Sequence, residues 1–198
     1  MSAITTPLPA TPATWKLPYR GTVGMACLII AEASIFTIFV VAYLYYAGKS
    51  LSGPTPREVL ETPIFGTICL LSSSFTVHFA ARFLHAGKRG AFLSLWLFTM
   101  LLGGIFLLGT ALEWHRLIYE RGLTISTNLF GTTYYSLVGL HATHVVAGLI
   151  MLTIVFVFGV AGRVGREQSG RVEVLALYWH FVDAVWVVVF SVVYLIAR

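Results

Sequence analysis

Two closely spaced polar pairs inside apolar sequence are the residues of this chain best suited to chemistry. His180 and Asp183 lie three residues apart in one apolar segment, and His141 and His144 are three apart in another. Residues at this spacing share one face of a helix. Glu32 adds a carboxyl group in a third apolar segment. Imidazole and carboxylate groups bind iron, zinc and copper, so these residues define one hypothesis, a membrane metalloenzyme.

The known patterns of metal ligands are incomplete, however. Di-iron helical bundles carry Glu-x-x-His on two helices, and zinc peptidases carry His-Glu-x-x-His. Neither motif occurs in the sequence, which also has no glycine-rich phosphate loop and no haem attachment motif. Hydrogen bonds between buried helices account for the five polar residues with fewer assumptions. The sequence therefore predicts no catalytic residue and no metal site.

Composition identifies the surroundings of these residues. The 198-residue chain is 58% hydrophobic and 11% charged, whereas a soluble domain carries about 25% charged residues. This composition predicts an integral membrane protein. The net charge of +5 is not concentrated in a basic run, so nucleic acid is not an expected partner.

Five apolar segments are long enough to cross a bilayer, which takes about 20 residues. Backbone groups in lipid must be paired within the segment, which favours helices. We predict an all-α, polytopic membrane protein, with a polar N-terminal arm at residues 1–20 and a five-helix domain at 21–198. The predicted spans are 21–46, 63–84, 91–113, 133–161 and 172–197.

The positive charges predict the orientation of the spans. Eight of the 13 lysines and arginines fall on the side of the N-terminus and five on the other side. Positive residues are enriched in cytoplasmic loops. The N-terminus is therefore predicted to be cytoplasmic and the C-terminus outside.

The polar residues lie at similar depths in these spans. At ~1.5 Å per residue, Glu32, His144 and Asp183 each lie roughly 16 Å from a helix end, near the middle of a hydrocarbon core of about 30 Å. Glu32 has only apolar neighbours on its own helix. We therefore expect Glu32 to be protonated, or hydrogen-bonded to a partner on another helix.

Other residues predict packing and contacts at the membrane surface. His78 and Arg82 near one end of the second span, and Glu113 and Trp114 at the end of the third, are candidates for contacts with lipid or partner proteins. Small residues predict close helix packing, among them Gly103, Gly104, Ser72, Ser73, Ser74, Gly139 and Gly148. Aromatic residues near segment ends predict anchoring at the interface, among them Tyr43, Trp114, Tyr134, Tyr135, Tyr178, Trp179 and Tyr194.

Three of these segments together resemble a known family. Residues 178–186, Tyr-Trp-His-Phe-Val-Asp-Ala-Val-Trp, resemble a signature of subunit III of haem–copper respiratory oxidases. Residues 139–148, which contain His141 and His144, are similar to the family's Gly-aromatic-His-x-x-His-Val segment, and Glu32 stands in the place of its intramembrane glutamate. Mitochondrial members have seven helices, so five helices resemble the shorter bacterial versions, including those of quinol oxidases.

The resemblance implies a subunit without catalytic residues in an oxygen-reducing, proton-pumping oxidase of the bacterial cytoplasmic (inner) membrane. It implies no cofactor in this chain, since haem and copper belong to partner subunits. It also implies contacts with subunit I, subunit II and phospholipids, support of proton uptake, and protection of the enzyme during turnover.

The resemblance also implies roles for the polar residues. Glu32 corresponds to the intramembrane carboxyl, and His141, His144, His180 and Asp183 to a buried polar framework. His180 and Asp183 are then expected to clamp helices together, with His144 as their partner across the bundle.

Three functions thus remain open. The first is subunit III of a terminal oxidase, with cytochrome c expected as electron donor and quinol as the alternative. The second is the related accessory subunit of a nitric oxide reductase. The third is the metalloenzyme, with His141, His144, His180 and Asp183 as ligands.

Overall fold

A computed structural model describes residues 20–50 and 53–196, apart from the side chain of Arg57. Within these ranges the regular structure is entirely helical. The main helices are α1 (Arg20–Tyr46), α2 (Pro56–Val59), α3 (Ile64–His85), α4 (Arg89–Tyr119), α5 (Leu129–Val160) and α6 (Ser169–Phe190). A 3₁₀ turn, Arg166–Gln168, precedes α6, and a π-helical segment, Ser191–Ile196, continues it. The predicted N-terminal arm lies outside the described residues, except for Arg20.

The five predicted spans are confirmed as helices long and apolar enough to cross a membrane. The predicted ends of the third span were wrong: α4 continues six residues beyond Glu113 to Tyr119. The fourth span begins at Leu129, four residues earlier than predicted. Hydropathy detects the apolar part of a helix, whereas the backbone remains helical through the polar residues that follow. The predicted orientation of the termini stays a prediction.

Specific residues end these helices. Gly87 follows α3 with a φ of 74°, in the left-handed region that glycine adopts without strain. The amide of Lys88 then donates to the carbonyl of Phe83, which closes the helix end. At the start of α5, the side chain of Asn128 accepts the amide hydrogen of Gly131 at 2.8 Å.

The connection between α1 and α3 is held by polar contacts on the surface. The backbone amide of Thr55 donates to the carboxylate of Glu58 at 2.9 Å, which lowers the pKa of that carboxyl. The side-chain amide of Asn128 donates to the carbonyl of Pro54 at 3.2 Å. The second contact ties this connection to the start of α5.

Helix α6 lies at the centre of the arrangement and contacts α1, α3 and α5. Helices α3 and α4 form an antiparallel hairpin with an extensive mutual contact, and α4 also packs on α5. Helix α1 lies at the edge, where Phe36 and Tyr43 are its buried side chains. Most apolar side chains of α1 therefore face outward, as expected for a helix bordered by lipid or by another protein.

The indole ring of Trp179 lies where four helices meet. It is fully buried, and its Nε1–H donates to Ser73 Oγ of α3 at 2.7 Å. A Cβ atom added to Gly103 of α4 would lie 2.9 Å from this ring, and one added to Gly148 of α5 would lie 2.8 Å from it. The predicted role of both glycines in close packing is confirmed, and the large ring explains why only glycine fits there.

The prediction of interface anchoring was wrong for many aromatic residues. Six of them are buried between helices: Tyr43, Tyr134, Tyr135, Tyr178, Trp179 and Tyr194. Trp96 and Trp186 are also buried, and their indole groups donate across helix contacts, to Leu152 O at 2.9 Å and Thr67 Oγ1 at 3.1 Å. In a bundle this small, aromatic rings near helix ends fill the interior.

We predict that Gly148→Ala destabilises the protein, because its new methyl group would overlap the ring of Trp179. Overpacking of this kind costs about 1–3 kcal/mol. Thermal unfolding in detergent, followed by near-ultraviolet circular dichroism, measures the change in Tm. Gly104→Ala is the matched control, since a Cβ atom there meets nothing within 4 Å. Equal Tm values for the two variants would contradict the close contact.

Candidate functional site

Glu32 and His144 form a contact between α1 and α5. Glu32 Oε2 lies 3.0 Å from His144 Nε2, and the two side chains are largely buried, with 25% and 14% of their surface exposed. The expectation that Glu32 has a hydrogen-bonding partner on another helix is confirmed. In the folded chain the carboxyl group is therefore paired within the apolar interior.

The second ring nitrogen of His144 decides how protons are placed in this pair. Nδ1 lies 2.8 Å from the carbonyl oxygen of Leu140. A carbonyl oxygen only accepts, so Nδ1 carries a hydrogen. One further proton then lies between Nε2 and Oε2, and the pair is either two neutral groups or an imidazolium and a carboxylate. Both forms have zero net charge, which suits a site in lipid.

Two further contacts join this pair to the rest of the bundle. The ring of Phe36 lies 4.9 Å from the ring of His144, between centroids. The hydroxyl of Tyr178 donates to the backbone carbonyl of His144 at 3.3 Å. The pair thus lies where α1, α5 and α6 meet.

His180 and Asp183 form a separate site with Ser74 of α3. Ser74 Oγ lies 3.0 Å from His180 Nδ1 and donates to Asp183 Oδ2. Asp183 is 3% exposed, and its other oxygen, Oδ1, has no hydrogen-bond partner among the described residues. The expected partnership with His144 was wrong, because His144 bonds to Glu32 on the other side of α6.

His141 lies apart from both pairs, in an aromatic environment. It is fully buried, its ring stacks on Trp186 at 5.0 Å between centroids, and the ring of Phe106 approaches it at 5.8 Å. Neither ring nitrogen has a hydrogen-bond partner among the described residues. His141 and His144 are three residues apart and both face the ring of Phe36, but only His144 is hydrogen-bonded.

The proposed metal ligands do not converge. Within residues 20–50 and 53–196, no group of three or more His, Cys, Asp or Glu side chains is placed to hold a metal ion. His180 and Asp183 contact Ser74, and His144 contacts Glu32. The geometry therefore gives no support to a metal centre made from these residues.

Glu113 lies in a third polar site, near the opposite end of the bundle from His85. Glu113 Oε1 accepts hydrogen bonds from the hydroxyls of Tyr194 at 3.1 Å and Tyr134 at 3.4 Å. Glu113 also lines a cavity of about 430 Å³ between α3 and α4. At the cavity wall, Arg116 Nη1 lies 3.5 Å from Glu61 Oε2 in an exposed ion pair.

The remaining candidate residues differ in their exposure. Trp114 packs inward, with its ring 5.3 Å from that of Tyr135. His78 and Arg82 are exposed on α3. The roles of His78, Arg82, Glu113 and Trp114 at the interface stay predictions.

Sequence reasoning missed the partners rather than the polar residues. Ser74 belongs to a serine run that was interpreted only as small residues for packing. His85 of α3 and Glu173 of α6 form an exposed hydrogen bond, with 2.6 Å between Nε2 and Oε1, that was not predicted at all. Helical spacing gives the face of each helix, and it contains no signal for which helix lies opposite.

The family model and the known relatives of this chain point to the same family. The family model described as "Cytochrome c oxidase subunit III" matches residues 20–198. The chain is 36% identical to cytochrome c oxidase subunit 3 of Synechocystis sp. over 177 residues, covering 87% of this chain and 74% of the relative.

Two further relatives match similar shares of the chain. The chain is 36% identical to cytochrome bo(3) ubiquinol oxidase subunit 3 of Pseudomonas aeruginosa, covering 82% of this chain and 77% of the relative. It is 30% identical to cytochrome c oxidase subunit 3 of Bacillus subtilis, covering 87% and 84%. With its five membrane-spanning helices, the chain belongs to the cytochrome c oxidase subunit III family, as a multi-pass, non-catalytic subunit of a bacterial haem–copper oxidase.

Proposed function

We propose that this chain holds subunit I of an oxygen-reducing, proton-pumping oxidase in its working conformation, and that the oxidase receives electrons from cytochrome c. The family match over residues 20–198 carries this proposal. Haem and copper then belong to the partner subunits, and subunit I is the main contact. Phospholipid bound at exposed positions such as His78 and Arg82 completes the interface, and the subunit supports proton uptake by subunit I.

Quinol is the second candidate electron donor. It is favoured by the relative from Pseudomonas aeruginosa, which is named as a ubiquinol oxidase subunit. The named relatives are oxidase subunits, which favours an oxidase over a nitric oxide reductase. Purification of the complex, with a mass-spectrometric inventory of its subunits and assays with reduced cytochrome c and with quinol, distinguishes the two donors.

The buried polar residues have a structural role in this proposal. The Glu32–His144 contact joins α1 to α5, and the contacts of Ser74 with His180 and Asp183 join α3 to α6. Helices in lipid gain little from the hydrophobic effect when they associate, so hydrogen bonds and close packing choose their partners. His141 supports the same arrangement through its stacked contact with Trp186. These contacts give subunit I a fixed surface.

We predict that Glu32 is protonated or hydrogen-bonded in the assembled oxidase. Infrared difference spectra between the wild type and Glu32→Gln isolate the absorption of this carboxyl group. The expected band is that of a neutral carboxyl or of a carboxylate bonded to imidazolium, because the pair contains one shared proton. Glu120→Gln, at an exposed position, is the control for a hydrated carboxylate. If the band of Glu32 were identical to that of the hydrated carboxylate of Glu120, the pairing would be contradicted.

We predict that deletion of this subunit leaves oxygen reduction measurable but shortens the working life of the enzyme. A non-catalytic subunit contributes no reacting group, and its loss removes only the support of subunit I. Oxygen consumption is recorded until activity ceases, in membranes with and without the subunit and after complementation with the wild-type chain. Immediate loss of all activity, with subunit I assembled and containing its haem and copper, would exclude an accessory role.

A further inference from the structure

We propose that Asp183 is a proton-binding group in the membrane interior, and that it exchanges its proton with the aqueous phase through Ser74, His180 and His78. This inference goes beyond the packing role proposed above. It depends on the contact between α3 and α6 and does not depend on the electron donor of the oxidase. Three observations support the proposed proton exchange. They are the hydrogen-bond pattern at Ser74, the unpaired carboxyl oxygen of Asp183 and the position of His78.

While Asp183 is a carboxylate, which can only accept, the hydrogen bonds at Ser74 have a defined direction. The hydroxyl group has one hydrogen, which it donates to Asp183 Oδ2. The contact of 3.0 Å between Ser74 Oγ and His180 Nδ1 must then take its hydrogen from the imidazole ring. The three groups therefore form a continuous chain of donors that begins at His180 and ends at the carboxylate.

This chain can pass a proton without any movement of heavy atoms. A proton binds to Nε2 of neutral His180. The Nδ1–H bond of His180 then breaks as Ser74 Oγ gains that hydrogen, and the original hydroxyl hydrogen of Ser74 moves to Asp183 Oδ2. His180 is neutral again with its hydrogen on Nε2, and Asp183 has become a neutral acid. Reversal of the same steps releases the proton.

The surroundings of Asp183 suit a carboxyl group that gains and loses a proton. Its Oδ1 atom is buried and has no hydrogen-bond partner among the described residues. Carboxylates that are permanently ionised in a protein interior normally use the acceptor capacity of both oxygens. A carboxyl with one free oxygen is easier to bury as a neutral acid, and Ser74 can stabilise either form.

His78 lies at the outer end of this chain of contacts. It is exposed, and it follows Ser74 by one helical turn on α3. The ring centroids of His78 and His180 are 6.3 Å apart, a distance too long for a direct hydrogen bond and short enough for one bridging water. Further along the same contact, His85 and Glu173 form an exposed hydrogen bond. Titratable groups thus follow the α3–α6 contact from its exposed end toward Asp183.

Other titratable groups near α6 belong to different contacts. Glu32 and His144, from α1 and α5, bond to each other, and His141 stacks on Trp186. None of the three is hydrogen-bonded to Asp183 in the described structure. The α3 side of α6 is therefore the route by which a proton reaches this carboxyl group.

The test measures hydrogen–deuterium exchange of the Asp183 carboxyl in the whole oxidase. The infrared C=O band that disappears in Asp183→Asn assigns the group, and its shift is followed after transfer to D₂O at several pH values. We expect exchange to slow by about 100-fold in Ser74→Ala and in His180→Phe, the usual effect of losing a positioned proton donor. His78→Phe should also slow the exchange of the Asp183 carboxyl.

The controls separate proton exchange from packing. Thr76→Val removes another hydroxyl of α3, one that contacts Thr99 Oγ1 of α4 at 2.7 Å, and it should leave the exchange rate unchanged. All rates are measured on complexes that retain this subunit and their haem, so a variant that fails only in packing is recognised by its Tm. Exchange at the wild-type rate in both Ser74→Ala and His180→Phe would overturn the proposal. So would the absence of an Asp183 carbonyl band at every pH.

Discussion

The packing of Trp179 of α6 against three other helices is the constraint on which the rest of the structure depends. Its ring occupies the space that Gly103 and Gly148 leave open, and its N–H group bonds to Ser73. Because a ring is rigid and fits in one orientation, it fixes the rotation of α6 against α3, α4 and α5 together. Every polar contact of α6 then depends on that rotation.

Two consequences of that rotation are visible on opposite sides of α6. On the α3 side, His180 and Asp183 meet Ser74. On the α5 side, Tyr178 reaches the carbonyl of His144, whose ring bonds to Glu32. A rotated α6 would lose both sets of bonds at once. The polar groups left without partners would be costly in hydrocarbon. The polar residues therefore select one arrangement among several that apolar packing alone would tolerate.

The sequence predicted the elements of this fold better than their contacts. Hydropathy identifies the five spans because the bilayer requires a minimum apolar length. It did not find the end of α4 at Tyr119, since residues beyond the apolar run stay helical. The five polar residues were found from their types and spacing, because ionisable side chains are rare inside apolar segments. Their partners, Ser74 for Asp183 and Glu32 for His144, depend on how separate helices rotate against each other, which no local pattern records.

The Glu32–His144 contact has a consequence for the biogenesis of the protein. The two residues are separated by 112 positions in the chain, so at ribosomal speed α1 is complete roughly 10 s before its partner is made. During that interval α1 has to leave the translocon with a carboxyl group that no other helix covers. A neutral acid crosses into lipid far more easily than a carboxylate. Protonation of Glu32 would therefore lower the cost of placing α1 in lipid during that interval, and the contact with His144 can form only after α5 has been made.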